Sequence, residues 1–282
     1  MNKTAVLTVR VGHSPDSDDA FMFYALTHDK LDTDGLRFVH QLEDIETLNR
    51  RALRGELEVS AVSIHAFAHL ADTYALLASG SSMGDRYGPT VITRQPMALE
   101  DLKGRTIAIP GRLTTAYLAL QLCLGKDLPV TVMPFDQILL AVAEGRAEAG
   151  LVIHEGQLSY GDQGLHKVVD LGQWWFEQTG LPLPLGGNVV RKDLGDDLVR
   201  KIAGLLKQSI LYALGHREEA LAYALQYARD LDPALADRFV GMYVNEWTVD
   251  YGPKGREAVR TLLARAADSG LIPAPVDVQF VG

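Results

Sequence analysis

The sequence predicts a two-lobed α/β protein with a ligand cleft between the lobes and a helical C-terminal region. Three observations carry that expectation. The first 190 residues alternate short apolar runs with amphipathic segments, the pattern of a parallel or mixed sheet flanked by helices. Beyond residue 196 the apolar spacing turns helical almost throughout. A length of 282 residues also lies where single hydrophobic cores stop growing and chains divide.

Residues 5–11 read as a strand, after which Asp18 and Asp19 offer N-caps to a helix over 20–28. A second strand at 36–42 leads to Asp44, which caps a helix over 45–54 that stops at Gly55. Short strands at 59–62 and 75–78 flank an apolar helix at 66–70. The Ser- and Gly-rich stretch 79–88 precedes a strand at 89–93 that leads out of the first lobe. A second series follows, with strands at 106–109, 130–133 and 149–153 and helices at 114–124 and 135–144. Pro182 and Pro184 break the segment 180–187, which reads as a crossover into a final strand at 188–191. Leu198, Ile202, Leu205, Leu206 and Ile210 then recur at helical spacing, as do Ala220, Tyr223, Ala224 and Tyr227. The expected organisation is a discontinuous larger lobe, 1–93 with 190–282, around an inserted smaller lobe, 94–189.

Composition narrows the function. Hydrophobic residues make up 47% and charged residues 22%, enough apolar material for a sizeable soluble core. A net charge of -9 disfavours nucleic acid and anionic membrane surfaces, whose phosphates call for a basic face. The expected partner is a small-molecule carboxylate, with the chain either a monomer or a homodimer. The single cysteine, Cys123, lies between Leu122 and Leu124 and reads as a buried helix residue. Residues 1–10 lack the features of a secretory signal, and no run reaches the length of a membrane span, so a cytoplasmic protein is expected. No Walker motif, no Gly-x-Gly-x-x-Gly after a strand and no Cys/His cluster appears, so neither a metal nor another cofactor is expected. Gly-x-Ser-x-Gly is missing too, which disfavours an α/β-hydrolase triad.

Open α/β sheets bind ligands beyond the carboxyl ends of their strands. Four loops qualify: one from His13 through Ser14 to Asp19, one around Ser63, one from Pro110 to Thr115, and one beginning at His154. In the third, Gly111 permits close backbone approach, while amides and the hydroxyls of Thr114 and Thr115 at a helix start suit a carboxylate, with Arg112 adding charge. The same spacing equally fits a threonine that caps the helix. The acidic first loop suits hydroxyl groups better than an anion, with capping as its other use. His154 follows an apolar strand, where a neutral imidazole can accept a proton and Glu155 can orient it; a histidine that merely closes the strand fits as well. His65 and His69 share i, i+4 spacing but lack the Glu of a zinc-protease motif. His28, His40, His166 and His216 read as surface residues, and Trp174, Trp175 and Phe176 as either an aromatic pocket wall or a buried brace beneath the crossover.

Five phrases, taken in order, resemble the 1,4-dihydroxy-6-naphthoate synthases of the futalosine route to menaquinone: 21–26 (FMFYAL), 43–49 (EDIETLN), 110–117 (PGRLTTAY), 150–155 (GLVIHE) and 179–186 (TGLPLPLG). The resemblance implies a periplasmic-binding-protein-like (type II) fold without export, and a lyase that cleaves cyclic dehypoxanthine futalosine. It carries His154 over as the catalytic residue, and Ser63, Thr114 and Thr115 as residues that hold the ligand; the mechanism expected on that basis has His154 as general base. Two departures stand out. The family's first loop reads Ser-Pro-Cys-Pro-Asn-Asp-Thr-Phe, whereas here it runs Ser14-Pro15-Asp16-Ser17-Asp18-Asp19-Ala20-Phe21, and Ile64 follows Ser63 where the family carries an aromatic residue. Alternative expectations are a solute-binding protein for a small carboxylate, the related chorismate dehydratase, and an effector-sensing domain.

Overall fold

The computed structural model describes residues 6–228 and 232–282. Its strands are β1 (Leu7–His13), β2 (Leu36–Leu42), β3 (Val59–Ser63), β4 (Tyr74–Leu77), β5 (Ser82–Gly84), β6 (Thr90–Thr93), β7 (Ile107–Ile109), β8 (Val130–Val132), β9 (Ala149–Val152), β10 (His166–Asp170), β11 (Leu183–Arg191) and β12 (Phe280–Val281). The α-helices are α1 (Ser17–Thr27), α2 (Ile45–Leu53), α3 (Ile64–Phe67), α4 (Thr115–Leu124), α5 (Phe135–Ala143), α6 (Gly156–Ser159), α7 (Leu171–Thr179), α8 (Asp196–Gly215), α9 (Arg217–Ala224), α10 (Pro233–Tyr243), α11 (Glu246–Val249) and α12 (Gly252–Asp268).

Among the described residues these strands form two sheets, one per lobe. The first has the order β12-β4-β11-β3-β1-β2 with β5 on β11, and the second the order β10-β6-β9-β7-β8. In the first, β1 runs parallel to both β2 and β3. In the second, β7 runs parallel to β8 and β9. Parallel neighbours end on the same edge, so the loops after β1 and β3 emerge together, as do those after β7 and β9. The chain leaves the first sheet after β5 and returns to it at β11.

β3, β4, β7 and β9 are buried along their whole length, the signature of strands covered on both faces. α1 is apolar nearly all round because it lies between the first sheet and α8, α9 and α10, with Phe21 and Phe23 fully buried. The largest core runs from Val62 and Leu76 of the first sheet through α4 and α12 to Ile107 and Leu151 of the second, so the lobes share one apolar spine. No helix among the described residues is long and apolar enough to cross a membrane.

Several elements differ from the sequence expectation. The start of the first strand, at Ala5, lies outside the described residues. α1 begins at Ser17 with Asp16 as its N-cap, and Asp18 and Asp19 fall inside the first turn, because the Asp19 carboxylate accepts the Ser14 amide at 2.7 Å instead of capping. The helix expected at 66–70 is the single turn α3, four residues long. β11 starts at Leu183, ahead of the expected 188; Pro184 is accommodated where the pairing with β5 shifts register. α7 forms where no helix was read, because Asp170 caps it through Gly172 N (2.9 Å) and Gln173 N (3.0 Å). Trp175 on that helix is the buried brace, its Nε1 donating to Pro182 O at 3.2 Å. Cys123 is half-buried on α4, and burial pushes its thiol up to about 11.

The two passages between sheets touch. Leu171 N donates to Pro89 O at 2.9 Å, and a Cβ on Gly172 would stand 1.9 Å from Tyr87 O. Gly172→Ala therefore should lower stability by about 1–3 kcal/mol through overpacking. Gly204→Ala, mid-helix on α8 with open space around it, should raise stability by about 0.5–1 kcal/mol. Urea unfolding of both variants checks the opposite signs.

Candidate active site

The carboxyl edges of the two sheets face each other across a cavity of about 760 Å³, a volume that includes space open to solvent. Ser14, Ser63, Thr114, Thr115 and His154 all line it. Gly111 and Arg112 are not among its lining residues. A Cβ on Gly111 would lie 2.3 Å from Glu46 Oε2, and the same Glu46 oxygen accepts Leu113 N at 3.1 Å. The close approach that glycine permits is thus made by an internal carboxylate, while Arg112 is exposed.

His154 sits two residues past β9 with φ of 56°, in the left-handed region that β-carbon sterics disfavour. Its Nδ1 lies 3.0 Å from Asp16 Oδ2, and the Phe135 ring packs at 4.5 Å. Its Nε2 is buried and has no hydrogen-bond partner among the described residues. The Ser14 hydroxyl donates to the same Asp16 oxygen. Asp16 belongs to the loop after β1 and His154 to the loop after β9, so the pair spans the two lobes. Glu155, the neighbour that sequence proximity proposed for the ring, instead accepts the Ser17 hydroxyl at 3.2 Å, and Gln157 and Tyr243 hydrogen-bond at 2.7 Å. Both contacts also cross between lobes.

Thr114 is the N-cap of α4: its hydroxyl donates to Gly111 O at 2.8 Å and accepts Tyr117 N at 3.2 Å. The Thr115 hydroxyl donates to Leu185 O at 2.6 Å and accepts His65 N at 3.1 Å. Each of these hydroxyls has only one proton, and both protons are engaged inside the protein. Ser63 differs. Its oxygen accepts Asn49 Nδ2 at 3.1 Å and its amide donates to Asn49 Oδ1 at 2.9 Å, which leaves the hydroxyl proton for the cavity. The first turn of α4 adds the amides of Thr115 and Ala116, both cavity-lining residues.

Beneath the first loop, His13 stacks on Phe23 at 4.5 Å and bonds Ser14 O and His40 Nδ1, each at 3.1 Å. Burial lowers His13 to about 3 and His40 to about 4, so both rings are neutral at pH 7. His40 is half-buried rather than on the surface, whereas His28, His166 and His216 are exposed. The carboxyls nearest the cavity shift the other way. Burial, with Asp19, Asp16 and Glu155 adding repulsion, raises Asp18 well above the usual carboxylate range. Burial and Asp16 raise Asp19 to about 7.

Several contributors carried no signal in residue spacing: Asp16, Asn49, Gln157, Tyr243 and Asn188. Of these, only Asp16 stands out in the sequence, as a departure from the family's first loop. The raised Asp19 yields a stability prediction. Unfolded, its carboxyl releases its proton near pH 4, and folded, near pH 7, so wild-type stability falls with rising pH across that window. Asp19→Asn, which keeps an acceptor for Ser14 N, should gain on the wild type by up to about 1.4 kcal/mol per pH unit between those limits. Urea titrations at several pH values measure the difference, and a pH-independent gap would contradict it.

Known proteins match this architecture along most of its length. The family model of menaquinone biosynthesis covers residues 9–268. A 1,4-dihydroxy-6-naphthoate synthase of Thermus thermophilus is 44% identical over 268 residues, spanning 95% of this chain and 97% of its own. A solved structure from Archaeoglobus fulgidus superposes with a TM-score of 0.90 at 46% identity, covering 94% of this chain and 98% of that one. The alkanesulfonate-binding protein SsuA of Xanthomonas axonopodis, bound to MOPS, superposes with a TM-score of 0.71 at 13% identity over 97% and 96% of the two chains, a likeness of fold alone. A periplasmic-binding-protein fold, matched nearly end to end by a curated synthase, places this chain in the 1,4-dihydroxy-6-naphthoate synthase family of menaquinone biosynthesis.

Proposed function

We propose that the protein is a cytoplasmic lyase that converts cyclic dehypoxanthine futalosine to 1,4-dihydroxy-6-naphthoate, with His154 as general base. One observation carries the reading: a histidine whose Nδ1 lies 3.0 Å from Asp16 presents, in the wall of the interlobe cavity, an Nε2 with no hydrogen-bond partner among the described residues. A carboxylate on Nδ1 keeps the proton there in the neutral ring, so the lone pair of Nε2 is the basic site. His154 removes a proton from the sugar-derived ring. In a retro-aldol step that proton comes from a hydroxyl: its electrons form a carbonyl as the neighbouring carbon-carbon bond breaks, the electrons of that bond pass to the departing enolate, the imidazolium reprotonates it, and aromatisation of the naphthoate drives the step forward. Asp16 stabilises the imidazolium that forms, and the Ser14 hydroxyl holds Asp16 in place.

The substrate carboxylate takes the Ser63 hydroxyl and the amides at the start of α4, where the helix dipole favours negative charge. The Thr114 and Thr115 hydroxyls shape this corner without donating to the ligand. An anion is admitted among acidic side chains because burial raises Asp18 well above the usual carboxylate range and Asp19 to about 7, which lessens the negative charge they bring. Closure of the lobes excludes water from the reacting centre.

The direct test is an assay of purified protein with cyclic dehypoxanthine futalosine, read as naphthoate formation, with chorismate as the control substrate. His154→Ala should lose about 100- to 10,000-fold in kcat. Asp16→Asn should lose about 10- to 1,000-fold, because its amide can turn an N–H toward Nδ1 and move the ring proton onto Nε2. Near-normal turnover by His154→Ala would remove the base, and turnover of chorismate alone would change the reaction.

A further inference from the structure

Asn188 lies mid-strand on β11, opposite Ala61 of β3, and is 1% exposed. It lines the cavity alongside Met22, Ala61, Gly80 and Phe239, whose side chains offer no hydrogen-bond donor. Its Nδ2 donates to Gly80 O at 3.0 Å, which settles which end of the amide is nitrogen. Its Oδ1 is buried and has no hydrogen-bond partner among the described residues. Buried polar atoms are rarely left so, and an acceptor lining a ligand cavity is paired when the ligand brings the donor.

The backbone is built around this side chain. Gly80 adopts φ of +81°, and a Cβ there would stand 2.3 Å from Asn188 Nδ2. Only glycine meets both the left-handed conformation and the close approach. The amide is therefore fixed in place before any ligand arrives.

We propose that Asn188 is a specificity-determining residue whose Oδ1 accepts a hydrogen bond from a ring hydroxyl of the ligand. This deepens the synthase reading and rests on it. An amide oxygen accepts but cannot donate, so it draws an O–H and repels a carboxylate. Asn188 stands two positions along the β3–β11 pair from Ser63, so neighbouring points of the cavity then read opposite groups. Ser63 and the start of α4 supply donors for the carboxylate, and Asn188 supplies the acceptor for a hydroxyl, which sets the direction in which a hydroxylated naphthoate lies.

The test compares 1,4-dihydroxy-6-naphthoate with 2-naphthoate, which keeps the rings and the carboxylate but lacks both hydroxyls, in calorimetric binding to the full-length protein. Wild type should prefer the hydroxylated ligand by about tenfold or more. In Asn188→Ala the preference should shrink to about threefold or less, because the hydroxyl loses its acceptor. Each preference is a ratio taken on one protein, so a general loss of affinity cancels, and Asn188→Leu serves if the alanine variant does not fold. A preference retained in the variant, or absent in wild type that turns over cyclic dehypoxanthine futalosine, overturns the role of Asn188 and leaves the function standing. Wild type with no turnover at all sinks the function, and this assignment with it.

Discussion

The pairing of Asp16 with His154, whose Nδ1 lies 3.0 Å from the carboxylate, is the constraint on which the rest of the site depends, since its two ends come from the loops of different sheets. Neither residue alone makes a directed base. Asp16 has to meet the imidazole across the gap, and it does so only when the lobes stand as close as they do here. Other cross-lobe contacts serve that approach, among them Ser17 to Glu155, Tyr243 to Gln157, Thr115 to Leu185, His65 to Thr115, and Glu46 to Leu113. Individual hydrogen bonds of this kind contribute about 1 kcal/mol each. A handful reinforces the apolar core that both lobes share.

Charge and burial act together in the cavity. A chain of net charge -9 that gathers Asp16, Asp18 and Asp19 around one pocket would repel an anion if all three were ionised. Removing those groups from water raises Asp18 and Asp19, so the repulsion falls while Asp16 keeps its histidine. The neutral His13 and His40 pair beneath the loop adds no opposing charge, and its stacking on Phe23 ties Ser14 to the core. Proton affinity here follows from packing as much as from chemistry.

The sequence made the two series of strands and helices legible because apolar runs of distinct period are local signals. β1, β3, β7, β9 and α4 sit within a few residues of their expected places, and the edge rule for parallel strands brought Ser14, Ser63, Thr114, Thr115 and His154 to one cavity. What stayed hidden depends on contacts distant in sequence. β5 and β10 are short edge pieces that exist through pairing with β11 and β6. Gly111 announced a close approach, but only the folded chain shows that Glu46 makes it. The threonines read as free donors in the sequence, but in the fold their protons go to the carbonyls of Gly111 and Leu185. Asp16 is separated from His154 by more than a hundred residues, and no local pattern links them.

The arrangement of protons on the His154 ring tests the account most directly. Long-range nitrogen-proton correlation spectra of labelled protein, with the His154 signals assigned by comparison with His154→Gln, report which ring nitrogen carries hydrogen. At a pH that leaves the imidazole neutral, the account requires the proton on Nδ1, facing Asp16, and a bare Nε2 toward the cavity. A ring protonated on Nε2 instead would mean that Asp16 does not direct the base.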